Sequence, residues 1–408
     1  MFSLLPDELL DKVAADLLPN TNDVRTLGTL SRRTVAPARR ALFRDCYTLV
    51  GSEDLTIAAF IADLKLNPDI ALSVRTLTID CAYAHERYGS STSLQEIGEL
   101  IGILTGIRSL RLIYFKWNAF HGYHPAFPRH PTLDTLVLES ITCVTPNASP
   151  FDILRLASAW KSVTVEDLKP LAQNAPVHGG PFSIENISFA WFPYTSSWDL
   201  GVDNIEQTFT GINVFSVTDI LDEQAVMLRK CIATSSSTLE KANLTLTGHL
   251  KVRNMRAWVY LLTSLSTCVS LHTVAVTIPV QSRWMMIPPN TRRSKGLHAE
   301  VLFVVCQLLP KTVKYLDISL EMTSDDQEDA KRMLSALLTY PTFAKLSSSK
   351  PNLLGVRVRT VDRGWLPPVW SAEEEEKIIR SFAMFGYVEG RSIFTYILTC
   401  LLTNYQEL

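Results

Sequence analysis

The sequence predicts an α/β fold in which short parallel strands alternate with helices along a stacked array. Two observations support this prediction: a six-residue apolar phrase recurs ten times, and the residues between its apolar positions are mostly polar. Helix-like stretches separate many of the copies. With 408 residues, of which 47% are hydrophobic and 20% charged, the chain is long enough to bury a large core.

The repeated phrase has the pattern apolar-x-x-apolar-x-apolar, and successive copies begin 24 to 42 residues apart. The copies are VRTLTI at Val74, IRSLRL at Ile107, LDTLVL at Leu133, WKSVTV at Trp160, IENISF at Ile184, INVFSV at Ile212, KANLTL at Lys241, LHTVAV at Leu271, VKYLDI at Val313 and LLGVRV at Leu353. The third and fifth residues do not define the phrase. Only four of these twenty are hydrophobic, whereas the chain average predicts about nine. Such alternation is typical of a strand with one buried and one solvent-facing side.

Helical periodicity fills many of the intervals between the phrases. The stretches are Ser93–Leu104, Glu223–Ala233, Met255–Leu265, His298–Leu309, Asp325–Leu338 and Ala372–Phe385. Ser324 and Ser371 are each followed, three positions later, by Gln327 and Glu374, a pattern that favours a helix start. Two apolar runs, Val301–Leu309 and Ile393–Leu402, are too short to span a bilayer and predict buried helices.

Units of strand, turn and helix resemble the leucine-rich repeat over roughly Leu72 to Val358. This resemblance implies a solenoid, or horseshoe, of stacked units with parallel strands. The family pattern expects an asparagine ladder after the strands, where this chain has Phe115, Ile141, Leu168, Phe192, Ile220 and Val361. We therefore expect turns packed by apolar contacts, and we assign residues 72–408 to an irregular solenoid with a C-terminal cap.

Residues 1–46 lack the phrase and predict three short helices instead. Pro6 is suited to open the first helix, because proline lacks a donor that is unpaired there anyway. The first helix is expected from the helical spacing of Leu9, Leu10, Val13, Ala14, Leu17 and Leu18. Asn22 and Asp23 are both suited to cap the second helix, and the third is expected to follow Pro37. So small a module has a poor core, and we expect apolar surface that meets a partner.

The residues of this module resemble the F-box motif. The resemblance is carried by the run LPDELLDKV from Leu5 to Val13, by Asp23-Val24, by Leu27 and Leu30, and by Leu42-Phe43-Arg44. The residues that follow, with Phe60, Leu64 and Pro68, look like the linker of fungal F-box proteins. The predicted organisation is an F-box-like helical module at 1–46, a helical linker at 47–71 and the repeat region from 72 onward.

The resemblance implies that the chain is the substrate-recognition subunit of a Skp–cullin–F-box type ubiquitin ligase. The module then binds a Skp-type adaptor and, through it, a cullin, while the repeat domain binds a protein target. The residues implied for the adaptor-binding face are Leu5, Pro6, Leu9, Val13, Leu27 and Leu30. The alternative is a non-catalytic repeat scaffold whose N-terminal helices only cap the solenoid. We expect a monomer outside the complex.

For target binding, four residues at solvent-facing strand positions depart from a background of small polar side chains. They are Arg111, Tyr315, Asp317 and Arg357. We expect these residues to contact the protein target if the strand face binds it. The sequence does not identify that target.

The sequence does not predict an enzyme, because it lacks a phosphate-binding glycine-rich loop, a GxSxG elbow and an HExxH motif. His121, His124 and His130 lie in a proline-rich stretch without a close acidic ligand, so we expect a surface loop, with no metal and no cofactor. The formal charge of -2 argues against a nucleic-acid partner. Seven cysteines without a CxxC pair, and no signal-like or membrane-spanning segment, predict an intracellular protein of the cytoplasm or nucleus.

Overall fold

The fold is that of a computed structural model of the 408-residue chain. The structure describes residues 5–49, 56–81, 94–117, 129–143, 150–167, 181–190, 209–218, 220, 222–246, 254–280, 304–322, 350, 352–362, 387–388, 391–392 and 394–400. The chain divides into two compact units. These are Met1–Ile184 with Asp199–Asn204, and Glu185–Trp198 with Ile205–Leu408.

The first unit begins with a module of three helices. They are α1 (Asp7–Asp16), α2 (Thr21–Leu30) and α3 (Arg32–Leu42). Helix α1 starts directly after Pro6, in agreement with the sequence analysis. The cap of α2 is Asn20, and not Asn22 or Asp23 as expected. The Asn20 side chain accepts a hydrogen bond from the backbone N–H of Asn22 at 3.2 Å.

The third helix begins well before Pro37, so its predicted start is wrong. Ser31 caps it together with Thr34, whose hydroxyl oxygen accepts a hydrogen bond from the Ser31 backbone N–H at 3.1 Å. Pro37 lies inside the helix and is buried. Proline usually opens or ends a helix, but here the capping box and the buried helix face outweigh its missing hydrogen bond.

A small apolar core holds the three helices together. Its buried members are Ala14, Val24, Leu27, Ala38 and Ala41, and Val13, Leu17, Leu18 and Leu42 pack against them. Two ion pairs join α3 to α1: Arg33–Asp7 at 2.7 Å and Arg40–Asp11 at 2.6 Å. Because exposed ion pairs contribute at most about 1 kcal/mol each, the core supplies most of the stability of the module.

A strand follows the module directly, and the sequence analysis missed it. Strand β1 (Asp45–Leu49) pairs in parallel with β2 (Thr76–Asp80), with Asp45 opposite Thr76. Helices α4 (Ile57–Leu66) and α5 (Pro68–Ser73) lie between them. The boundary expected between residues 46 and 47 therefore falls inside a strand, and the segment 47–71 is only partly a helical linker.

The rest of the first unit continues the alternation of strand and helix. Its elements are α6 (Leu94–Ile103), β3 (Ser109–Ile113), β4 (Lys116–Trp117), β5 (Thr135–Glu139), β6 (Thr142–Cys143), a 3-10 helix (Pro150–Leu156) and β7 (Ala159–Glu166). The main strands follow the order β1-β2-β3-β5-β7, and each adjacent pair is parallel. Strands β4 and β6 form a separate parallel pair.

The second unit has the same construction, and the boundary between the units falls within its first strand, β8. Its elements are β8 (Phe182–Ala190), β9 (Phe209–Thr210), β10 (Val214–Thr218), α7 (Asp222–Thr234), β11 (Lys241–Thr245), α8 (Asn254–Leu265), β12 (Thr273–Val280), β13 (Tyr315–Met322), β14 (Gly355–Asp362), β15 (Tyr387–Val388), β16 (Arg391–Ser392) and β17 (Phe394–Cys400). The main strands follow the order β8-β10-β11-β12-β13-β14-β17, all in parallel. Strand β9 pairs with β8, and β15 and β16 form an antiparallel pair.

All ten copies of the sequence phrase lie on strands, which confirms the predicted alternation and the α/β class. The fourth and sixth residues of each copy are buried wherever their side chains are described, as Leu77 and Ile79 are on β2. The third and fifth residues of every copy remain at least partly exposed. The parallel strands therefore place one continuous apolar row inside each unit and one polar row outside.

The turns after three neighbouring strands share one backbone conformation. Tyr114, Ser140 and Asp167 directly follow β3, β5 and β7, and their φ angles are 54°, 53° and 48°. The next residue is a buried apolar one at Phe115 and at Ile141. This confirms the expectation that apolar contacts, and not an asparagine ladder, pack these turns.

Ile220 is buried in the same way after β10. The equivalent side chains of Leu168, Phe192 and Val361 lie outside the described residues.

Three predicted helices are confirmed within a residue or two of their expected ends, namely α6, α7 and α8. Of the stretch His298–Leu309, residues 304–308 are helical and the residues before them lie outside the described part. The stretches Asp325–Leu338 and Ala372–Phe385, with the capping residues Ser324 and Ser371, also lie outside it. One helix prediction, in the run Ile393–Leu402, is wrong.

That run contains strand β17, which pairs in parallel with β14. The residues that form the strand are FTYILTC, in which aromatic and β-branched side chains dominate. Such side chains favour extended backbone over helix. The C-terminal cap expected from sequence therefore includes a further strand of the second unit.

Candidate functional site

The predicted adaptor-binding residues differ in how far they are exposed. Leu9 on α1 is 47% exposed, and Leu30, the last residue of α2, is 55% exposed. Pro6 is exposed as well, and Leu5 is half-buried. These four side chains contribute apolar surface to the module, and their value as a site depends on whether they lie together.

A hydrogen-bonded arginine brings the ends of the three helices together. Arg33, in the first turn of α3, donates from Nη2 to the backbone oxygen of Leu5 at 2.8 Å and to Asp7 Oδ1 at 2.7 Å. Helix α3 directly follows the end of α2, and Leu9 lies one turn into α1. The start of α1 and the end of α2 therefore share one end of the module, which carries an apolar surface formed by Leu5, Pro6, Leu9 and Leu30.

The other two predicted adaptor residues support this surface from inside. Leu27 is only 2% exposed and belongs to the core of the module, and Val13 packs against the same core. Leu27 therefore makes no exposed surface for a partner. Its position one turn before Leu30 fixes the end of α2 against the other helices.

The first predicted target-binding residue, Arg111, already forms an ion pair within its own sheet. Its Nη2 lies 2.5 Å from Glu139 Oε2, on the neighbouring strand β5. Glu166 on β7 lies directly opposite Glu139 in the sheet. Burial raises the pKa of Glu166, the nearby Glu139 raises it further, and Arg111 lowers it. These three side chains form a charged cluster across β3, β5 and β7 in the first unit.

The other three predicted target-binding residues lie close together in the second unit. Tyr315 and Asp317 share one face of β13, and Asp317 lies opposite Arg357 on β14. Arg357 Nε is 3.9 Å from Asp317 Oδ1, a loose ion pair. Tyr315 is 48% exposed. An exposed aromatic ring beside a charged pair is a composition found in protein–protein interfaces.

Four cysteines, Cys81, Cys231, Cys268 and Cys306, are buried thiols rather than activated nucleophiles. Burial raises the pKa of Cys231 and Cys306 to about 12, and that of Cys268 to about 11. Burial and the nearby Asp80 raise the pKa of Cys81 to about 12. Because the thiolate is the reactive species, these side chains act as small apolar core residues.

Of the three histidines in the proline-rich stretch, only His130 is described, and it does not lie on the surface as expected. His130 is buried and bridges to Ala157 through the backbone. Burial lowers the pKa of His130, and a backbone hydrogen bond with Leu104 opposes this effect. His121 and His124 lie outside the described residues.

The sequence analysis overlooked one group of charged residues. Arg44, Arg75 and Arg108 each occupy the second position of successive strand units, immediately before β1, β2 and β3. The recurrence of arginine at that position is the sequence signal that reveals the group. These residues lie beside a cavity next to the helical module.

Within the described ranges, no group of three or more histidine, cysteine, aspartate or glutamate residues is placed to hold a metal ion. None of the helices in those ranges is both long and apolar enough to cross a membrane. Neither the models of known protein families nor the curated proteins contain a match to this sequence. The function is therefore argued from the residues and their arrangement.

Proposed function

We propose that this chain is a substrate-recognition subunit of a Skp–cullin–F-box type ubiquitin ligase, without catalytic activity of its own. In this proposal the three-helix module is an F-box that binds a Skp-type adaptor, which in turn binds a cullin. The strand region is an irregular leucine-rich-repeat solenoid that binds a protein target. The observation that carries the proposal is the apolar surface at one end of the module.

The energetics of this surface favour a protein partner. The module closes its core with five small or medium apolar residues, yet leaves Leu9 and Leu30 about half exposed. Complete burial of a leucine contributes roughly 1.5–3 kcal/mol, so each of these side chains has about 1 kcal/mol to gain from a partner. Clustered apolar surface of this kind marks an interaction site more often than isolated exposed residues do.

Target binding is proposed for the polar row of the strands. Small polar side chains line most of this row, and larger ones interrupt it at Tyr315 and Arg357 in the second unit. Tyrosine and arginine are the residue types that most often anchor protein partners. Arg111 holds a close ion pair with Glu139, so its proposed role is to orient charge rather than to anchor. Asp317 forms only a loose pair with Arg357, at 3.9 Å, and its proposed role is to orient that arginine.

Co-purification tests the adaptor proposal directly. Full-length protein is co-expressed with a Skp-type adaptor, alongside a variant carrying Leu9→Asp and Leu30→Asp. A buried carboxylate without a partner opposes docking by several kcal/mol, so the adaptor should co-purify with the wild type and be lost from the double variant.

The matched control is Leu66→Asp, because Leu66 is 79% exposed on α4, outside the module. This variant should retain the adaptor. The proposal is wrong if wild-type protein does not bind the adaptor under conditions in which a known F-box protein does.

A second candidate function is supported by the way the module joins the strands. Helix α3 packs against α5, and the Arg44 backbone oxygen accepts hydrogen bonds from the N–H groups of Arg75 at 2.8 Å and Thr76 at 3.0 Å. The module therefore covers the first strands of its unit, as the cap of a non-catalytic repeat scaffold does. Capping and adaptor docking use different surfaces of the module and are compatible with each other.

A further inference from the structure

Three arginines lie side by side at the N-terminal ends of the first three strands. The backbone oxygen of Arg44 accepts from the N–H of Arg75 at 2.8 Å, and that of Arg75 accepts from the N–H of Arg108 at 2.7 Å. Neighbouring strands lie about 4.8 Å apart, so the three residues follow one another at that interval. The side chains of all three are exposed.

A cavity of about 400 Å³ adjoins these three arginines within the first unit. Arg44, Arg75 and Arg108 line one part of it. The helical module lines most of the rest with apolar residues and one ion pair, and Ser73 of α5 completes the lining. The module residues are Ala15 of α1, Leu18 just after that helix, Pro37 and Ala41 of α3, and the pair Asp11–Arg40. Small-molecule sites in proteins have volumes of this order.

The charges that line the cavity are not balanced. Asp11 is the one carboxylate among the lining residues, and both Nε and Nη2 of Arg40 donate to its Oδ1, at 3.0 and 2.6 Å. Arg44 and Arg108 form no ion pair with any residue that the structure describes. Several like charges within about 10 Å repel one another, and a bound anion relieves that repulsion.

The guanidinium of Arg75 is held in place by the backbone around it. Its Nη1 donates to the Leu72 oxygen at 3.1 Å, at the end of α5. Gly106 lies against the same group, and a Cβ atom on that glycine would lie 1.5 Å from Arg75 Nη1. The absence of a side chain at residue 106 is therefore what leaves room for the Arg75 guanidinium in this position.

We infer that this cavity binds a soluble ligand that carries two or more adjacent phosphate groups. Arginine presents planar, paired donors that match phosphate oxygens, and it remains charged at all physiological pH values. Three such side chains in a row at strand spacing exceed what a single phosphate can engage. The site is concave and lies between the helices and the N-terminal ends of the strands. This shape favours a small soluble ligand over a membrane surface.

Such a ligand contacts the helical module and the first three strands together. Binding to the folded chain alone raises its stability with the logarithm of the ligand concentration once that concentration exceeds the dissociation constant. The site is separate from the apolar surface formed by Leu5, Pro6, Leu9 and Leu30, so this inference does not depend on adaptor binding.

Calorimetric titration of the full-length protein with inorganic pyrophosphate at low ionic strength tests the inference. We expect saturable binding that weakens as salt is added, and orthophosphate should bind at least about tenfold more weakly. The combined substitution Arg44→Gln and Arg108→Gln should weaken pyrophosphate binding by about a hundredfold, because each lost arginine removes a charge-assisted contact. The control Arg39→Gln changes an exposed arginine of α3 that does not line the cavity, and it should bind as the wild type does.

A second variant tests geometry without a change of charge. Gly106→Ala forces the flexible end of Arg75 to move and should weaken pyrophosphate binding about tenfold or more, while far-ultraviolet circular dichroism confirms an intact fold. Equal affinity in the wild type and in the folded variants overturns the inference. It is also overturned if vesicles of phosphatidylcholine with phosphatidic acid bind the protein while pyrophosphate does not.

Discussion

At the scale of single residues, the cluster of Arg111, Glu139 and Glu166 links protonation to stability. Glu139 and Glu166 lie opposite each other on β5 and β7, and Arg111 pairs with Glu139. The pKa of Glu166 is raised above 4.5, first by burial and then by Glu139. A carboxyl group with a raised pKa contributes stability that is present below its usual pKa and is lost as the pH rises through its folded-state pKa.

We predict that Arg111→Gln destabilises the protein in a pH-dependent manner. Arg111 favours the charged form of Glu166, so its loss matters little where that carboxyl group is protonated and more where it is ionised. Relative to the wild type, the free energy of unfolding should fall by about 1 kcal/mol at neutral pH, and the difference should shrink toward about pH 3.5. Urea denaturation at a series of pH values measures it.

Lys161→Gln provides the comparison for this pH series. Lys161 is an exposed cation at the start of β7 and has no ion pair within the described residues. Its substitution should give a difference that varies much less with pH. A loss of stability in Arg111→Gln that stays constant across the series would show that packing, and not charge, explains the effect of Arg111.

At the scale of elements, the left-handed turns after β3, β5 and β7 set where the chain leaves the sheet. The N–H of Tyr114 donates to the Glu139 oxygen at 2.9 Å, and the N–H of Ser140 donates to the Glu166 oxygen at 2.8 Å. The turns thus extend the hydrogen-bond ladder beyond the strand ends and turn Phe115 inward. For a residue other than glycine, this left-handed conformation costs about 1–2 kcal/mol of conformational free energy.

We predict that Tyr114→Gly is more stable than Tyr114→Ala by about 1 kcal/mol. Both changes remove the same ring, which is 43% exposed, but only glycine adopts a φ near 54° without strain. Thermal and urea unfolding of the two variants measure the difference. If alanine is as stable as glycine at this position, the turn does not hold the left-handed conformation in solution.

The same elements show which parts of the fold the sequence can predict. Ten strands were predictable because side chains such as Leu77 and Ile79 alternate with polar ones. Strand β1 was not, because the positions in register with those two residues hold Cys46 and Thr48, which carry a weak apolar signal. Its formation depends on pairing with β2, a contact that local sequence does not encode.

At the scale of the whole molecule, the candidate sites were predictable only in part. The spacing of leucines identifies the apolar face of the module, but it does not separate Leu27, which is buried, from Leu30, which is exposed. The three cavity arginines, Arg44, Arg75 and Arg108, are each more than 30 residues apart in sequence. Parallel strand pairing alone brings them together at the N-terminal ends of the strands. Sequence thus supplies the residue types, whereas long-range register determines which of them meet.

The proposed capping role of the module leads to a prediction for the whole chain. Deletion of residues 1–49 removes β1 and leaves the backbone groups along one edge of β2 without their partners. It also exposes the side of α5 on which α3 packs. Because the truncation uncovers the buried side of α5 and makes β2 the edge strand in place of β1, we predict that the truncated protein self-associates or aggregates more readily than the full chain. Size-exclusion chromatography with light scattering measures the result.

The variant carrying Leu9→Asp and Leu30→Asp separates capping from adaptor docking. Both substitutions lie on the exposed apolar surface and leave β1 paired with β2, so this variant should remain as dispersed as the wild type while it loses the adaptor. A truncated chain that stays monomeric, with an unchanged unfolding temperature, would show that the strands need no cap. In that case the pairing of β1 with β2 and the packing of α3 on α5 contribute little to stability, and the exposed leucines become the main reason for the module to be present.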